Sequence, residues 1–225
     1  MISELLDIFS KYGIDLVLAF ILTLELTFLS FSIGFVGGII IAVLRSSIVK
    51  PFRSLLTLFI EIVRGTPMIV QLFFVYYTLP VLGIKLDSFT ASLIALGLNS
   101  AAYQSEYLRT AINSIPKEQW EAAYSLGLNS FSTVINVVIP QALRIAIPSL
   151  TNELIYLLKF SSIAYFVALP ELIYTAKWIA SKTFAYIQIY IAIALFYIAV
   201  SMILSEIVTR IEKKVAIPGL TIKVS

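Results

Sequence analysis

Residues 55–80 read LLTLFIEIVRGTPMIVQLFFVYYTLP. This run is apolar and long enough to cross a bilayer, because about 20 apolar residues span the hydrocarbon. It carries Arg64, Gly65 and Pro67 near its middle. Glycine and proline weaken helix continuity, and proline also removes a backbone hydrogen-bond donor. The stretch therefore predicts a membrane-crossing helix that breaks near residues 64–67.

The composition of the whole chain indicates an integral membrane protein. Of the 225 residues, 60% are hydrophobic and 13% are charged, whereas soluble domains average about 45–50% apolar and about 25% charged residues. The chain has no cysteine and no histidine. Thiolate and imidazole chemistry is therefore excluded, and we expect neither a metal site nor a catalytic site. No GxxxxGK[ST] phosphate loop occurs in the sequence, so ATP hydrolysis by that route is excluded too.

Hydropathy predicts an all-α fold with five transmembrane helices in a single domain, residues 1–225. The first sixteen residues are weakly amphipathic and more acidic than basic, unlike a signal peptide. They predict a short surface helix on the membrane face. The predicted spans are residues 17–44, 52–79, 88–113, 142–169 and 184–210.

The distribution of basic residues predicts the orientation of these spans. With the N-terminus outside, ten lysines and arginines lie near inner span ends and four near outer ones. Because inner loops carry the excess of positive charge, we expect an outer N-terminus and a cytoplasmic C-terminus.

The long connector between the third and fourth spans contains a second helical pattern. Residues 117–127 carry Trp120, Ala123 and Tyr124 at helical spacing, and Gly127 follows as a helix stop that tolerates positive φ. An ordinary amphipathic loop at the membrane surface is the alternative interpretation of this segment.

The same connector resembles the cytoplasmic signature of the permease subunits of prokaryotic ABC importers, which is EAA, three residues, Gly, nine residues and I-x-L-P. Here Glu121-Ala122-Ala123 and Gly127 are followed at the right offset by Val137-Val138-Ile139-Pro140. Valine and isoleucine replace isoleucine and leucine with little change of bulk. Three stretches resemble the polar amino-acid branch of this family: RGTPMIVQLFFVYY, AYQSEYLRTAINSIPKEQWEAA and IPQALRIAIPSLTNELIYLLK. In them Ser105 stands where the branch often has alanine, and Phe160 where it often has threonine.

The resemblance implies a type I importer permease in the prokaryotic plasma (inner) membrane. It implies that residues 117–127 form a coupling helix that docks on an ATP-hydrolysing subunit. The implied partners are two such ATPase subunits, a second permease subunit (identical or related), an external solute-binding protein and an amino-acid substrate. ATP would be used by the partner, and this chain would hold no cofactor and bind no nucleic acid. The predicted docking residues are Trp120, Glu121, Ala122, Ala123 and Gly127.

The helix break predicts a substrate site. A half-helix that begins at Met68 would present free backbone N–H groups within the membrane. We therefore expect Arg64, Thr66 and the backbone after Pro67 to hold a carboxylate. Polar residues of the third and fourth spans are expected at similar depth, namely Asn99, Tyr103, Glu106, Glu153, Tyr156 and Lys159.

The charges and polarity of these residues predict their roles in substrate binding. Glu153 would take the α-ammonium, while Asn99, Tyr103 and Glu106 would contact the side chain of the substrate. Two carboxylates near one carboxylate-binding site favour a basic amino acid carried by alternating access, with glutamine or glutamate as the alternative.

Other interpretations remain open at this point. Arg64 with Glu153, and Glu106 with Lys159 or Arg109, would also serve as internal ion pairs without any ligand. The chain would then be a non-transporting membrane assembly factor. A separate alternative is a secondary transporter or channel, which would use the charges within the spans and need no ATPase. The GFVGG stretch at residues 34–38 predicts close helix packing.

Overall fold

The computed structural model describes residues 2–47 and 50–215, which are helical with short connections and contain no strand. Met1, residues 48–49 and residues 216–225 lie outside the described residues, so the ends of the predicted domain are not tested. The first helix, α1, runs from Ile2 to Ser47 without interruption. Residues 2–16 are thus helical as predicted, but they are continuous with the first span and do not form a separate surface helix.

The predicted helix break is confirmed. Helix α2 covers Lys50–Gly65 and ends there, and α3 begins at Met68 and covers Met68–Phe73. Pro67 precedes α3 with φ −60° and ψ 137°, an extended conformation outside the helical region. The chain then continues in a π-helical turn, Phe74–Thr78, and a 3₁₀ turn, Leu79–Leu82.

The later helices follow the predicted order. They are α4 (Ser88–Asn113), α5 (Lys117–Ser125), α6 (Ser130–Thr133), α7 (Ile139–Phe160), α8 (Leu172–Thr183) and α9 (Tyr186–Val215). A π-helical turn, Val134–Val138, joins α6 to α7, and a 3₁₀ turn, Ser161–Val167, follows α7.

The helices that are long and apolar enough to cross a membrane account for four of the five predicted spans. Within the described residues they are Asp7–Arg45, Ser130–Val167 and Tyr186–Ile211, together with Lys50–Gly65 and Met68–Leu82 when the broken pair counts as one span. The remaining prediction, residues 88–113, has the bounds of α4, Ser88–Asn113. Because α4 carries many polar side chains, it is not among the helices apolar enough to cross a membrane, and this third predicted span stays a prediction.

The chain divides into two compact units. The first comprises Met1–Phe31, Pro67–Gly97 and Leu154–Leu204, and the second comprises Ser32–Thr66, Leu98–Glu153 and Ser205–Ser225. One core cluster of the first unit buries Leu26, Met68, Leu72 and Leu157. A second cluster buries Leu16 against Leu172, Ile179 and Ile189.

A buried carboxylate holds the start of α8 in the first unit. Glu171 is fully buried and accepts hydrogen bonds from the backbone N–H groups of Ile173 and Tyr174, at 2.9 and 2.8 Å. The backbone N–H of Leu172 donates to Thr23 Oγ1 at 3.1 Å. Glu171 is therefore a helix cap that lacks access to water.

Burial raises the pKa of Glu171 to about 7, and this predicts a pH-dependent stability. Because the folded pKa lies above the unfolded value, its contribution to stability is full at low pH and is lost as pH rises through 7. Glu171→Gln removes the charge and keeps one oxygen, which accepts from one of the two N–H groups. We therefore expect the melting temperature of this variant, measured relative to the wild type, to rise between pH 5 and pH 8.

Thermal unfolding in detergent between pH 5 and 8 measures this effect. Asp87→Asn is the control, because hydrogen bonds from the backbone and side chain of Thr90 lower the pKa of the exposed Asp87. Asp87 therefore stays ionised over this pH range, and its substitution should leave the pH profile unchanged. A profile for Glu171→Gln that parallels the wild type would contradict the prediction.

Candidate functional site

The centre of the candidate site is Glu153, on α7 in the second unit. Its side chain is only 3% exposed. One carboxylate oxygen accepts a hydrogen bond from Ser100 Oγ at 2.7 Å, and the other accepts one from the Tyr107 hydroxyl at 3.2 Å. Both donors are neutral hydroxyls, so they fix the orientation of the Glu153 carboxylate without neutralising its negative charge.

Arg64 supplies the positive charge of the same unit. Its guanidinium carbon lies 5.2 Å from the centre of the Tyr103 ring, a distance typical of a cation–π contact. Its Nη1 lies 3.9 Å from a carboxylate oxygen of Glu61, one turn earlier on α2. Its Nε is buried and has no hydrogen-bond partner among the described residues, so Arg64 retains a donor for a ligand.

Two phenol rings of α4 connect these charges. The rings of Tyr103 and Tyr107 are 6.4 Å apart, centre to centre. Tyr103 contacts the cation Arg64, and Tyr107 binds the anion Glu153. Residues four apart share one helix face. Tyr103 and Tyr107 therefore form a row on α4, with the cation Arg64 at one end and the carboxylate of Glu153 at the other.

Close packing of α1 on α4 fixes Ser100, the other donor to Glu153. A Cβ added to Gly34 would lie 2.6 Å from Ser100 Oγ and 2.7 Å from Gln104 Nε2. The Gln104 amide in turn donates to Ser100 Oγ at 2.9 Å. The close packing predicted for the GFVGG stretch is therefore confirmed, and it positions a polar group of the site.

Two arginines engage the carboxylate of Glu106. Its carboxylate accepts hydrogen bonds from Arg45 Nη1 and from Arg109 Nε, the latter at 2.8 Å. The internal ion pair considered for Glu106 and Arg109 is thus present, and Arg45 adds a second one. By contrast, Arg64 makes no ion pair with Glu153 among the described residues; its ion-pair partner is Glu61.

The remaining predicted site residues are divided between the units. Asn99 is buried and Thr66 is exposed in the second unit, and Thr66 Oγ1 donates to the carbonyl of Ile62 at 3.0 Å.

In the first unit the Met68 side chain lies in the core cluster. Tyr156 stacks on Phe160 at 4.0 Å, and Lys159 is exposed. The Pro67 carbonyl accepts from Val70 N at 3.0 Å, and no side chain caps α3.

Several site residues were not singled out from the sequence. Ser100 and Tyr107 were missed, although Tyr107 follows Tyr103 by one helical turn and this spacing was a usable signal. Two carboxylates within predicted spans, Glu25 and Glu61, were missed as well, and both are exposed. Hydropathy averages over such single charges, so a helical-wheel inspection of each span was needed to find them.

The predicted coupling segment forms a short exposed helix. Helix α5 covers Lys117–Ser125, and Gly127 ends it with φ +80°. Ala123 is buried, whereas Glu121 and Ala122 are exposed and Trp120 is half-buried. A hydrogen bond of 3.3 Å between the side chains of Gln119 and Gln141 ties α5 to α7. Small Ala122 thus faces outward, as docking requires, while Ala123 packs against its own chain.

Comparisons with known proteins agree with the resemblance. The family model for the inner membrane component of binding-protein-dependent transport systems matches residues 34–217. A probable amino-acid ABC transporter permease, YckA of Bacillus subtilis (strain 168), is 42% identical over 194 residues, which cover 86% of each chain. The L-cystine transport system permease TcyB of the same organism is 39% identical over 193 residues, which cover 85% of this chain and 82% of that protein.

A solved structure agrees at the level of the fold and the sequence. The crystal structure of an amino acid ABC transporter with histidines matches 91% of this chain and 96% of its own, with a TM-score of 0.84 and 36% identity. Together with the fold and the family match, this likeness shows that the chain belongs to the inner membrane components of binding-protein-dependent transport systems, as a permease of the amino-acid ABC transporters.

Proposed function

We propose that this permease carries polar amino acids inward by alternating access, driven by ATP hydrolysis in a separate subunit. The observation that carries the proposal is the row on α4, with Arg64 at one end and Glu153 at the other. An amino acid is a zwitterion whose carboxylate would meet Arg64 and whose ammonium would meet Glu153. The comparisons lend no support to a secondary transporter or channel.

The proposed assembly follows from the family. Two ATPase subunits would dock on the coupling helices of two permease subunits, identical or related, and an external binding protein would deliver the substrate. The N-terminus would lie outside and the C-terminus in the cytoplasm. Glu121 and Ala122 on α5 support the docking role, because both are exposed and accessible to a partner.

The class of substrate side chain that the site accepts depends on how many of its carboxylates are not engaged in ion pairs. The basic preference assumed two acids at the site, but Arg45 and Arg109 engage Glu106. That leaves Glu153, which the α-ammonium of any amino acid would occupy. We therefore propose a polar amino acid with a neutral, glutamine-like side chain as the first candidate and a basic one as the second. Relatives are named for glutamine and for arginine.

Equilibrium binding of the twenty amino acids to the purified permease in detergent tests the site. We expect one class of polar amino acids to bind and apolar ones not to bind. Competition between glutamine and arginine separates the two candidates. If no amino acid binds the permease while the assembled complex still transports, the site proposed on α4 is wrong.

The docking role of α5 predicts the effect of a bulky residue at Ala122. Ala122→Trp should reduce substrate-stimulated ATP hydrolysis in the reconstituted complex by about tenfold or more, because a large side chain prevents close approach of the partner. The melting temperature of the permease should not change, since Ala122 is exposed. Ala199→Trp, at an exposed alanine of α9, is the control and should retain coupled hydrolysis. Full coupling in Ala122→Trp would contradict the docking role.

A further inference from the structure

A cavity lies in the first unit, outside the row of side chains on α4. Its volume is about 430 Å³, within the range of about 300–1,000 Å³ typical of small-molecule sites. It lies between α1 and α8. Its lining includes Asp15, Leu18 and Leu22 of α1 and Tyr174 and Trp178 of α8.

The position of this cavity indicates the membrane interface. Asp15 precedes the apolar part of α1, which continues through Leu18 and Leu22. Residues three, four and seven apart share one face of a helix, so this face leads from a carboxylate down into the apolar layer. Helix α8 lies between two predicted spans, and Trp178 and Tyr174 are the residue types enriched at the headgroup level.

Charges of both signs surround the cavity. Asp15 is the charged residue of its lining; it is exposed, and no described residue forms an ion pair with it. Trp178 packs edge-on against Tyr12, with the ring centres 5.8 Å apart. Lys182 Nζ lies 5.9 Å from the Trp178 ring, and Lys11 Nζ lies 5.3 Å from the Tyr12 ring. The aromatic pair is thus flanked by two ammonium groups and lies beside a free carboxylate.

We infer that this cavity binds an aminophospholipid, with the primary ammonium of the headgroup at Asp15. The first acyl carbons follow Leu18 and Leu22 into the apolar layer. A primary ammonium donates charge-assisted hydrogen bonds to a carboxylate, whereas the trimethylammonium of a choline lipid has no N–H to donate. The site therefore discriminates between headgroups.

A lipid accounts for the cavity better than a soluble amine does. A free amino acid would satisfy Asp15 and a lysine, but it would leave the apolar lower part of the cavity, at Leu22, uncovered. The acyl carbons of an amphiphile cover this apolar wall, whereas a soluble amine has no apolar chain to do so, and the wall therefore favours an amphiphile. With the proposed outer N-terminus, the bound lipid belongs to the outer leaflet.

Native mass spectrometry of the full-length permease in detergent tests the inference. Phosphatidylethanolamine and phosphatidylcholine with the same acyl chains are added at equal concentration. We expect the ethanolamine lipid to be retained about tenfold more, the size expected for a hydrogen bond to a charged group. Asp15→Asn should abolish the preference. Asp7→Asn, at an exposed acid two turns earlier on α1 and outside the cavity, should preserve it.

A second variant tests lipid binding in the cavity without changing the charge of Asp15. Leu18→Trp fills the cavity at an exposed position and should lower retention of both lipids, with Asp15 intact. Equal retention of the two lipids by the wild type would overturn the inference, as would an unchanged preference in Asp15→Asn. Displacement of the lipid by millimolar free amino acid would assign the cavity to a soluble amine and would overturn it too.

Discussion

Gly38→Val is expected to lower the melting temperature of the permease markedly. Gly38 is buried where α1 meets α4, and a Cβ there would lie 2.9 Å from Gln104 Cβ and 3.1 Å from the backbone nitrogen of Ser105. A backbone atom within a helix cannot rotate aside, so α1 and α4 must separate. Overpacking of this kind costs about 1–3 kcal/mol, and we expect the upper end of that range because the contact is with backbone.

The matched control is Gly13→Val on the same helix. A Cβ at Gly13 would meet no atom within 4 Å, and valine has a better helix propensity than glycine. We therefore expect Gly13→Val to leave the melting temperature unchanged or slightly higher. The measurement is the melting temperature and the monodisperse fraction in detergent. Equal behaviour of the two valine variants would show that α1 and α4 tolerate separation at Gly38.

Glu153→Gln is expected to weaken substrate binding by about 100-fold while the protein stays folded. An ammonium bound to a carboxylate contributes about 1.5–3 kcal/mol, and about 2.7 kcal/mol corresponds to a factor of 100. The glutamine side chain retains one oxygen for either Ser100 or Tyr107, so only part of the local hydrogen bonding is lost. Isothermal titration of the polar amino acids into the purified permease measures the effect.

Glu106→Gln is the matched control for charge removal within the second unit. It removes the negative partner of Arg45 and Arg109, so we expect a lower melting temperature and little change in substrate affinity. Tyr107→Phe removes one donor to Glu153 and keeps the carboxylate, so binding should fall by less than in Glu153→Gln. If Glu106→Gln loses binding while Glu153→Gln keeps it, the roles assigned to the two carboxylates are reversed.

Much of the fold was predictable because its determinants are local. The break before Met68 follows from Gly65 and Pro67, whose backbone preferences do not depend on distant residues. The start of α5 after Pro116 and its stop at Gly127 are equally local, and so are the bounds of α4. The continuation of α1 through the first sixteen residues was not predicted, because weak amphipathicity does not distinguish a surface helix from an extension of a span.

The candidate site was predictable only in part. Arg64, Tyr103 and Glu153 were identified as polar groups within spans, and the structure places them in one unit. The pairing of Arg45 with Glu106 was not predicted, nor were the hydrogen bonds from Ser100 and Tyr107 to Glu153, and these omissions share one cause. Sequence spacing shows which residues share a helix face, but it does not show which helix faces them.

The sequence alone determined that the chain is a helical membrane protein, where its second span breaks and where a helix with the importer signature lies. These properties depend on hydropathy, backbone preference and short-range spacing, which act within a few helical turns. Only the tertiary structure decided which charges are neutralised. Arg45 and Glu106 are 61 residues apart in the chain, and Ser100 and Glu153 are 53 apart. Ion pairs and hydrogen bonds act over a few ångströms. Arg45 therefore meets Glu106 only when close packing at Gly34 and Gly38 brings α1 onto α4, and Ser100 meets Glu153 only when α7 packs on α4.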